Sequence, residues 1–479
     1  MFKRIATLLA LLTAGSIAHF DAIAEPVADG LTFDANLRLR TEIVDHFHPP
    51  EQNPNSEYAY HQVKLQLGAK YQRGAFRAYA QGQYFQLLDL PYNGVGPGAV
   101  YSATNDGERN PGDVVLRQLY LAYSEQGDPH GAEFALGRML YANGSEAPHA
   151  DKTVEGLKKQ RIYNRVLGTF DFTAGRSFDS VRARYGIEPI GVLAGGLMRP
   201  TQGGFSTEGS VQIEDIDLAT AAWSIAPAML PEKTDAQLFW YYYGDDRPDK
   251  VKTDNRDLAT RKADTADIQI QNVGAHWVEL FPREQVTGQL LLWGVLQAGD
   301  WGDQDVLAGA FAAEAGAQFN ELWAKPTLRI GYNYGSGDDD PADDDHHTFM
   351  QMLPTARQYA FTPFYNMMNN EDLFASAAAQ PIEGVSVLTT LHYLQLAERN
   401  DLLYSGGGAN LKDRQFGFAG SPLSGSTLGW LPELSVSYEL CAMANLSLYY
   451  GHLFASDSFD DSTRNSDINY AFVEINVKH

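Results

Sequence analysis

Hydrophobic side chains recur at every second position over long stretches of this chain. In FDANLRLRTEI, Phe33, Ala35, Leu37, Leu39, Thr41 and Ile43 share one parity, while Asp34, Asn36, Arg38, Arg40 and Glu42 share the other. VKLQLGAKY sets Val63, Leu65, Leu67, Ala69 and Tyr71 against Lys64, Gln66, Gly68 and Lys70. After the turn Gln72-Arg73-Gly74, the segment FRAYAQGQY opposes Phe76, Ala78 and Ala80 to Arg77, Tyr79, Gln81 and Gln83. SVRARYG and the late YAFVEINV continue the pattern, the former with Arg182 and Arg184 on its polar face. A period of two marks strands with one apolar and one polar face.

A soluble sandwich gives the same alternation with its polar face in water. Three features favour a membrane barrel instead. The polar faces carry rows of Arg, Lys and Gln. Aromatic residues are abundant (25 Tyr, 24 Phe) and gather near strand ends, as in Trp240-Tyr241-Tyr242-Tyr243 and Tyr449-Tyr450. Short Gly or Asn turns alternate with long polar loops such as 91–113 and 245–267. Short turns on one side, long loops on the other and aromatic girdles describe an outer-membrane barrel. At roughly 25 residues per strand with its share of loops, the chain predicts an all-β fold, a transmembrane antiparallel β-barrel of about 18 strands. A wall of that size leaves an aqueous lumen.

The N-terminus changes the picture by setting the compartment. Lys3 and Arg4 precede an apolar run from Ile5 to Ala18, and Ala22-Ile23-Ala24 is a small-x-small cleavage site. A signal peptide over residues 1–24 is predicted, with the barrel over 25–479 as one domain. Charge then excludes a partner. With 36 basic against 60 acidic residues, net −24, the chain has no basic face for nucleic acid. Its single cysteine, Cys441, excludes an internal disulfide.

Two stretches are candidates for chemistry. GYNYGSGDDDPADDDHHTF puts six aspartates and two histidines after alternating aromatics. The EF-hand template needs Gly at loop position six and Glu at twelve, and this run supplies neither. His346 and His347 are adjacent and do not easily face one ion, so the run is expected to be an acidic outer rim that loosely holds divalent cations beside lipopolysaccharide, with no dedicated metal site and no cofactor. Between Arg138 and Arg184, nine Lys or Arg stand against five Asp or Glu. With Arg38, Arg40, Lys64, Lys70 and Arg77 on inward faces, this predicts either a positive stripe that favours anions or a lattice paired with acids such as Asp34 and Glu42. Ser386 and His392 share a strand face, but nothing in their spacing sets them apart as a catalytic pair.

Several stretches together resemble one family. RQLYLAY with FALGRML, RSFDSVRARYG, YNYGSGDDDPADDDHHTFMQMLPT and LHYLQLAERNDLLYSGGG are similar to the alginate export outer-membrane proteins, in the broad sense of that domain. The resemblance implies an 18-stranded barrel with an arginine-rich constriction through which an anionic polyuronate leaves the cell. It puts Arg117, Arg138 and Arg357 on basic positions of that constriction. Arg117 shares parity with Leu119, Leu121 and Tyr123, so a β-bulge is needed to turn it inward. Gln66, Leu140 and Leu448-Tyr449-Tyr450 stand where the alginate-exporting members have arginine.

The resulting expectation is a non-enzymatic channel in the outer membrane of a Gram-negative bacterium. It would pass an anionic polysaccharide or a smaller acidic solute, with Arg38, Arg40, Lys64, Arg77, Arg117, Arg138, Arg182, Arg184 and Arg357 lining the pore. Expected partners are membrane lipid, lipopolysaccharide and periplasmic export components. A general porin and a surface scaffold or adhesion barrel are the alternatives.

Overall fold

The computed structural model describes residues 30–47, 55–125, 131–248, 250–353, 360–411, 416–459 and 467–479. The expected signal peptide and Arg357 lie outside the described residues. Eighteen antiparallel strands form a closed wall, joined in sequence order. The first strand, β1 (Leu31–Asp45), pairs with β2 (Glu57–Arg73) on one side and with Ile468–Lys478 on the other, which closes the barrel. Next come β3 (Phe76–Leu88), β4 (Gly112–Ser124), β5 (Glu133–Met139) and β6 (Phe178–Ile187). A two-residue strand, Asp345–His346, adds to the sheet in parallel beside Gln304–Phe319. No described helix is long and apolar enough to cross a membrane.

The alternation read from the sequence is realised. Phe33, Leu37 and Leu39 of β1 are exposed on the outer face, whereas Arg38 and Arg40 are buried inside. In register with them, Leu65 and Leu67 face out and Lys64 and Gln66 face in. In lipid such an arrangement satisfies every wall amide within the sheet and keeps polar side chains off the acyl chains.

Inside, the lumen has two halves. Toward the short turns the inner face is polar. Toward the long loops it is apolar, because the loops fold inward and cover it. Tyr241, Tyr243, Ile268, Ile270 and Trp293 of the wall pack there with Met350, Met352, Leu353 and Met367 of an inserted loop. This alters the aromatic-girdle expectation. Trp240 and Tyr242 keep the outward parity, but Tyr241, Tyr243 and Tyr449 are fully or nearly fully buried within the lumen.

Candidate functional site in the barrel lumen

The connection from β5 to β6, residues 140–177, does not stay outside but crosses the lumen. It carries the helix Lys152–Arg161, preceded by α1 (Pro97–Thr104) and labelled α2. Asp151 caps α2 by accepting from the amides of Thr153 and Val154. Two charged clusters then fix it to one side of the wall, the first on the strands Thr234–Asp245 and Ile268–Pro282 and the second on Gln304–Phe319 and Thr327–Gly335. Lys158 donates to Asp235 Oδ2 at 2.9 Å, and the other oxygen of Asp235 lies 2.6 Å from His276 Nε2. At the far end Glu314 collects three guanidinium groups, Arg161 at 2.7 Å, Arg165 at 3.1 Å and Arg329 at 3.4 Å. Buried charges persist when each has a partner, and here the pairing sets where the helix lies.

Beyond α2 the chain turns at 169–175 and presents its carbonyls to the inward cations of β1 and β2. Arg38 donates to the carbonyls of Asp171 (2.9 Å) and Phe172 (2.6 Å). Lys64 reaches the carbonyl of Asp171 at 2.9 Å and its Oδ1 at 3.1 Å. Arg40 lies over the Phe172 ring, 3.3 Å from its centroid, and pairs with Glu474. Arg117 joins from β4, donating to Asp171 Oδ1 at 3.0 Å and to Ser177 Oγ at 3.2 Å.

Arg117 is turned inward by the bulge its parity demanded. Gln118 pairs with Gln81 and Leu116 with Gly82, so Arg117 is the extra residue between them. Leu116, Leu119 and Leu121 stay exposed outside while Arg117 is 1% exposed inside. Gly175 makes room for it. At φ +78° it lacks a Cβ that would otherwise come within 2.5 Å of the Arg117 guanidinium.

The remaining sequence candidates divide. Arg77 and Arg184 each lie 3.5 Å from Glu133, and Arg182 donates to the carbonyl of Leu140 at 2.7 Å. These three face a cavity of about 330 Å³ near the short-turn end. Arg138 is not among them. It shares parity with Phe134 and Leu136, both exposed on the outer face, and binds Asp179 through two contacts of 2.7 Å. Beside them Arg199 pairs with Asp217 at 2.6 Å, extending a charged row along the outside of the wall. A lumen role expected for Arg138 thus meets an outward side chain.

A second cavity, of about 970 Å³, lies under the inserted loop. Among its described lining residues are Arg38, Arg40, Lys159, Arg161, Lys325 and Arg329, against the carboxylates of Asp171 and Glu433. Glu314 and Glu474 stand behind the arginines they bind. The pore-lining residues expected from the sequence did not include Lys159, Arg161, Lys325 or Arg329, although Lys159 and Arg161 belong to the positive stretch between Arg138 and Arg184. Arg329 carried a signal, lying between the outward Leu328 and Ile330; the helix residues carried none that tied them to the lumen.

The same cavity contains Ser386 and His392 without bringing them together. His392 is held between Asp372 (2.8 Å) and Glu433 (3.7 Å). Ser386 is six positions away on the same strand, roughly 20 Å at strand rise.

Over residues 29–474 the sequence matches the family model for alginate export. The chain belongs to the alginate export family. Comparison with curated protein sequences gives no match. Among solved structures, it resembles a BenF-like porin from Pseudomonas fluorescens Pf-5 at TM-score 0.58 and 12% identity, covering 94% of this chain and 99% of that one. OccAB2 of Acinetobacter baumannii superposes at 0.59 with 9% identity, over 95% and 99% of the two chains. OccK2 (OpdF) of Pseudomonas aeruginosa, solved in complex with glucuronate, gives 0.55 and 10%, again over 95% and 99%. At such identities the likeness shows the fold alone. This member of the alginate export family is a barrel channel of the Gram-negative outer membrane.

Proposed function

We propose that this barrel passes carboxylate-bearing solutes by passive diffusion or export, as a uronate polymer or as smaller acidic molecules. The observation that carries the proposal is the charge of the larger cavity. A chain of net −24 places six Lys or Arg side chains around it. In a narrow, low-dielectric lumen, fixed cations offset the cost of stripping water from an anion, and they repel cations. Lys325 and Lys159, the latter 61% exposed with only Glu155 of its own helix at 3.5 Å, suit an incoming carboxylate, whereas Arg38, Arg40 and Arg161 are engaged by the inserted loop or by glutamates of the wall. The glucuronate bound by OccK2 is a ligand of the same chemical class in a barrel of the same fold. No step in this passage calls for a cofactor or for covalent chemistry.

Reversal potentials in planar bilayers under a salt gradient test the reading. The native channel is expected to prefer anions, and Lys159→Glu with Lys325→Glu is expected to move the reversal potential toward cation preference. An unselective native channel, or a double variant with unaltered selectivity, would overturn it. Uptake of glucuronate oligomers of increasing length into liposomes then distinguishes a polymer path from one restricted to small acids.

A further inference from the structure

The acidic run left over from the sequence contains one side chain in an unusual position. Asp338 is 0% exposed, yet neither carboxylate oxygen accepts a hydrogen bond. Its backbone is well held, the amide donating to Asp401 Oδ2 at 3.1 Å and the carbonyl accepting from Asn255 Nδ2 at 3.1 Å. Asp401 cannot serve it in return, because its own carboxylate already accepts from Thr348, Tyr404 and the Leu402 amide. Asp340 and Asp343 accept from the amides of Ala342 and Asp345 in local turns. A buried carboxylate without donors needs a countercharge. The neighbouring carboxylates of Asp401 and Asp343 make the need greater.

Besides Asp401 and Asp343, Asp339 and His347 face Asp338. His347 Nδ1 lies 3.8 Å from Asp338 Oδ1 and 4.0 Å from Asp339 Oδ1. The three ligand atoms lie within 4.8 Å of one another. The adjacent histidines do face different ways, as their spacing suggested. His346 stacks on Trp301 inside the loop, 4.5 Å between centroids, and leaves His347 to turn toward the acids.

We propose that Asp338, Asp339 and His347 bind one zinc-like divalent ion at the outer mouth of the barrel. An imidazole nitrogen with two carboxylates suits Zn²⁺, whose ligand atoms in a tetrahedral shell stand about 3.3 Å apart for bonds of about 2.0 Å. The observed separations need only a small closure of the exposed Asp339 and half-buried His347 side chains. Calcium asks for about six to eight oxygens, and the site offers two carboxylates. Asp339 is 69% exposed, so the ion would be reached from the cell exterior and complete its shell with water. The three ligands join the two ends of the loop. Immediately after them come Phe349, Met350, Met352 and Leu353, which fill the outer half of the lumen. Bound metal would therefore tie the surface loop to the segment that obstructs the lumen.

The test uses the full barrel in detergent, stripped with EDTA and titrated with ZnCl₂ by calorimetry, with metal content measured on the desalted protein. Wild type is expected to take up one zinc per chain. Asp338→Asn and His347→Gln are each expected to weaken binding by at least about tenfold, the lower end of what a lost outer-shell partner costs a metal site. Asp338→Asn removes an unpaired buried charge, and β-sheet circular dichroism of each variant confirms that the wall is intact. No stoichiometric zinc in wild type, or wild-type affinity in both variants, would overturn the proposal. So would calcium binding that displaces zinc and survives His347→Gln.

Discussion

Asp171 offers the sharpest test of how the inserted loop is held. Its Oδ1 accepts from both Lys64 and Arg117, and the two cations are 2% and 1% exposed. Replacing it by Asn keeps the shape and a carbonyl acceptor but removes the charge that balances them. A hydrogen bond to a charged group contributes about 1.5–3 kcal/mol, so the pair would contribute about 3–6. The Asp171 side chain is 53% exposed, and solvent screening argues for the lower end, about 3 kcal/mol. That corresponds to roughly a 150-fold shift in the equilibrium between docked and released loop. The wall should be unaffected, because Arg38 and Lys64 also bind backbone carbonyls that the substitution leaves in place. Hydrogen exchange reads such local opening directly. Amides of residues 169–176 are expected to exchange roughly 150-fold faster in Asp171→Asn, with strand amides unchanged. Adding Lys64→Met, which removes one uncompensated cation, should recover part of the protection. Protection that stays within a factor of about three of wild type, or a double variant no better than the single, would refute the electrostatic account.

Other outcomes follow from the same geometry. Glu314→Gln leaves Arg161, Arg165 and Arg329 converging on a neutral group, and removing one partner of a buried ion cluster costs about 3–5 kcal/mol. Exchange in α2 should accelerate while the wall amides keep their protection. Gly299→Ala is expected to lower unfolding stability in lipid vesicles by roughly 1–3 kcal/mol, since Gly299 has φ +144° and a Cβ there would meet the Gln269 carbonyl at 1.9 Å. Gly294→Ala, whose nearest neighbour is at 3.8 Å, is the control and should be close to neutral. Trp323, 80% exposed in a short turn, is expected to anchor at the lipid headgroup level. Its fluorescence should be quenched by nitroxide-labelled headgroups and little by labels deep in the acyl chains.

The wall was largely legible in the sequence because a strand's two faces meet different solvents, and parity records which is which. Arg38, Arg40, Lys64, Arg77, Arg182 and Arg184 face inward as their parity predicts. Parity also held the correction for Arg138. In FALGRML it falls in step with Phe134 and Leu136, and the structure follows that count. The inserted loop was not legible. It is fixed largely by the carbonyls of Asp171, Phe172 and Thr173, which carry no side-chain signature, and by Glu314, more than a hundred residues distant in sequence. The same holds for Asp338 and His347, nine positions apart and joined only when the loop folds back.

The extra residue at Arg117 makes β4 a strand whose phase changes part-way along. Before it, Val114 and Leu116 meet lipid from even positions; after it, Leu119, Leu121 and Tyr123 do so from odd ones. Tolerance to altered length in this strand should therefore depend on where the change falls and whether it is odd or even, more than on its size. Losing Arg117 itself would straighten the strand, remove the offset and leave each remaining side chain in its own medium, whereas losing Leu116 would turn the cation toward lipid. A two-residue change elsewhere in the strand, with the bulge kept, would shorten it and leave each remaining side chain in its own medium.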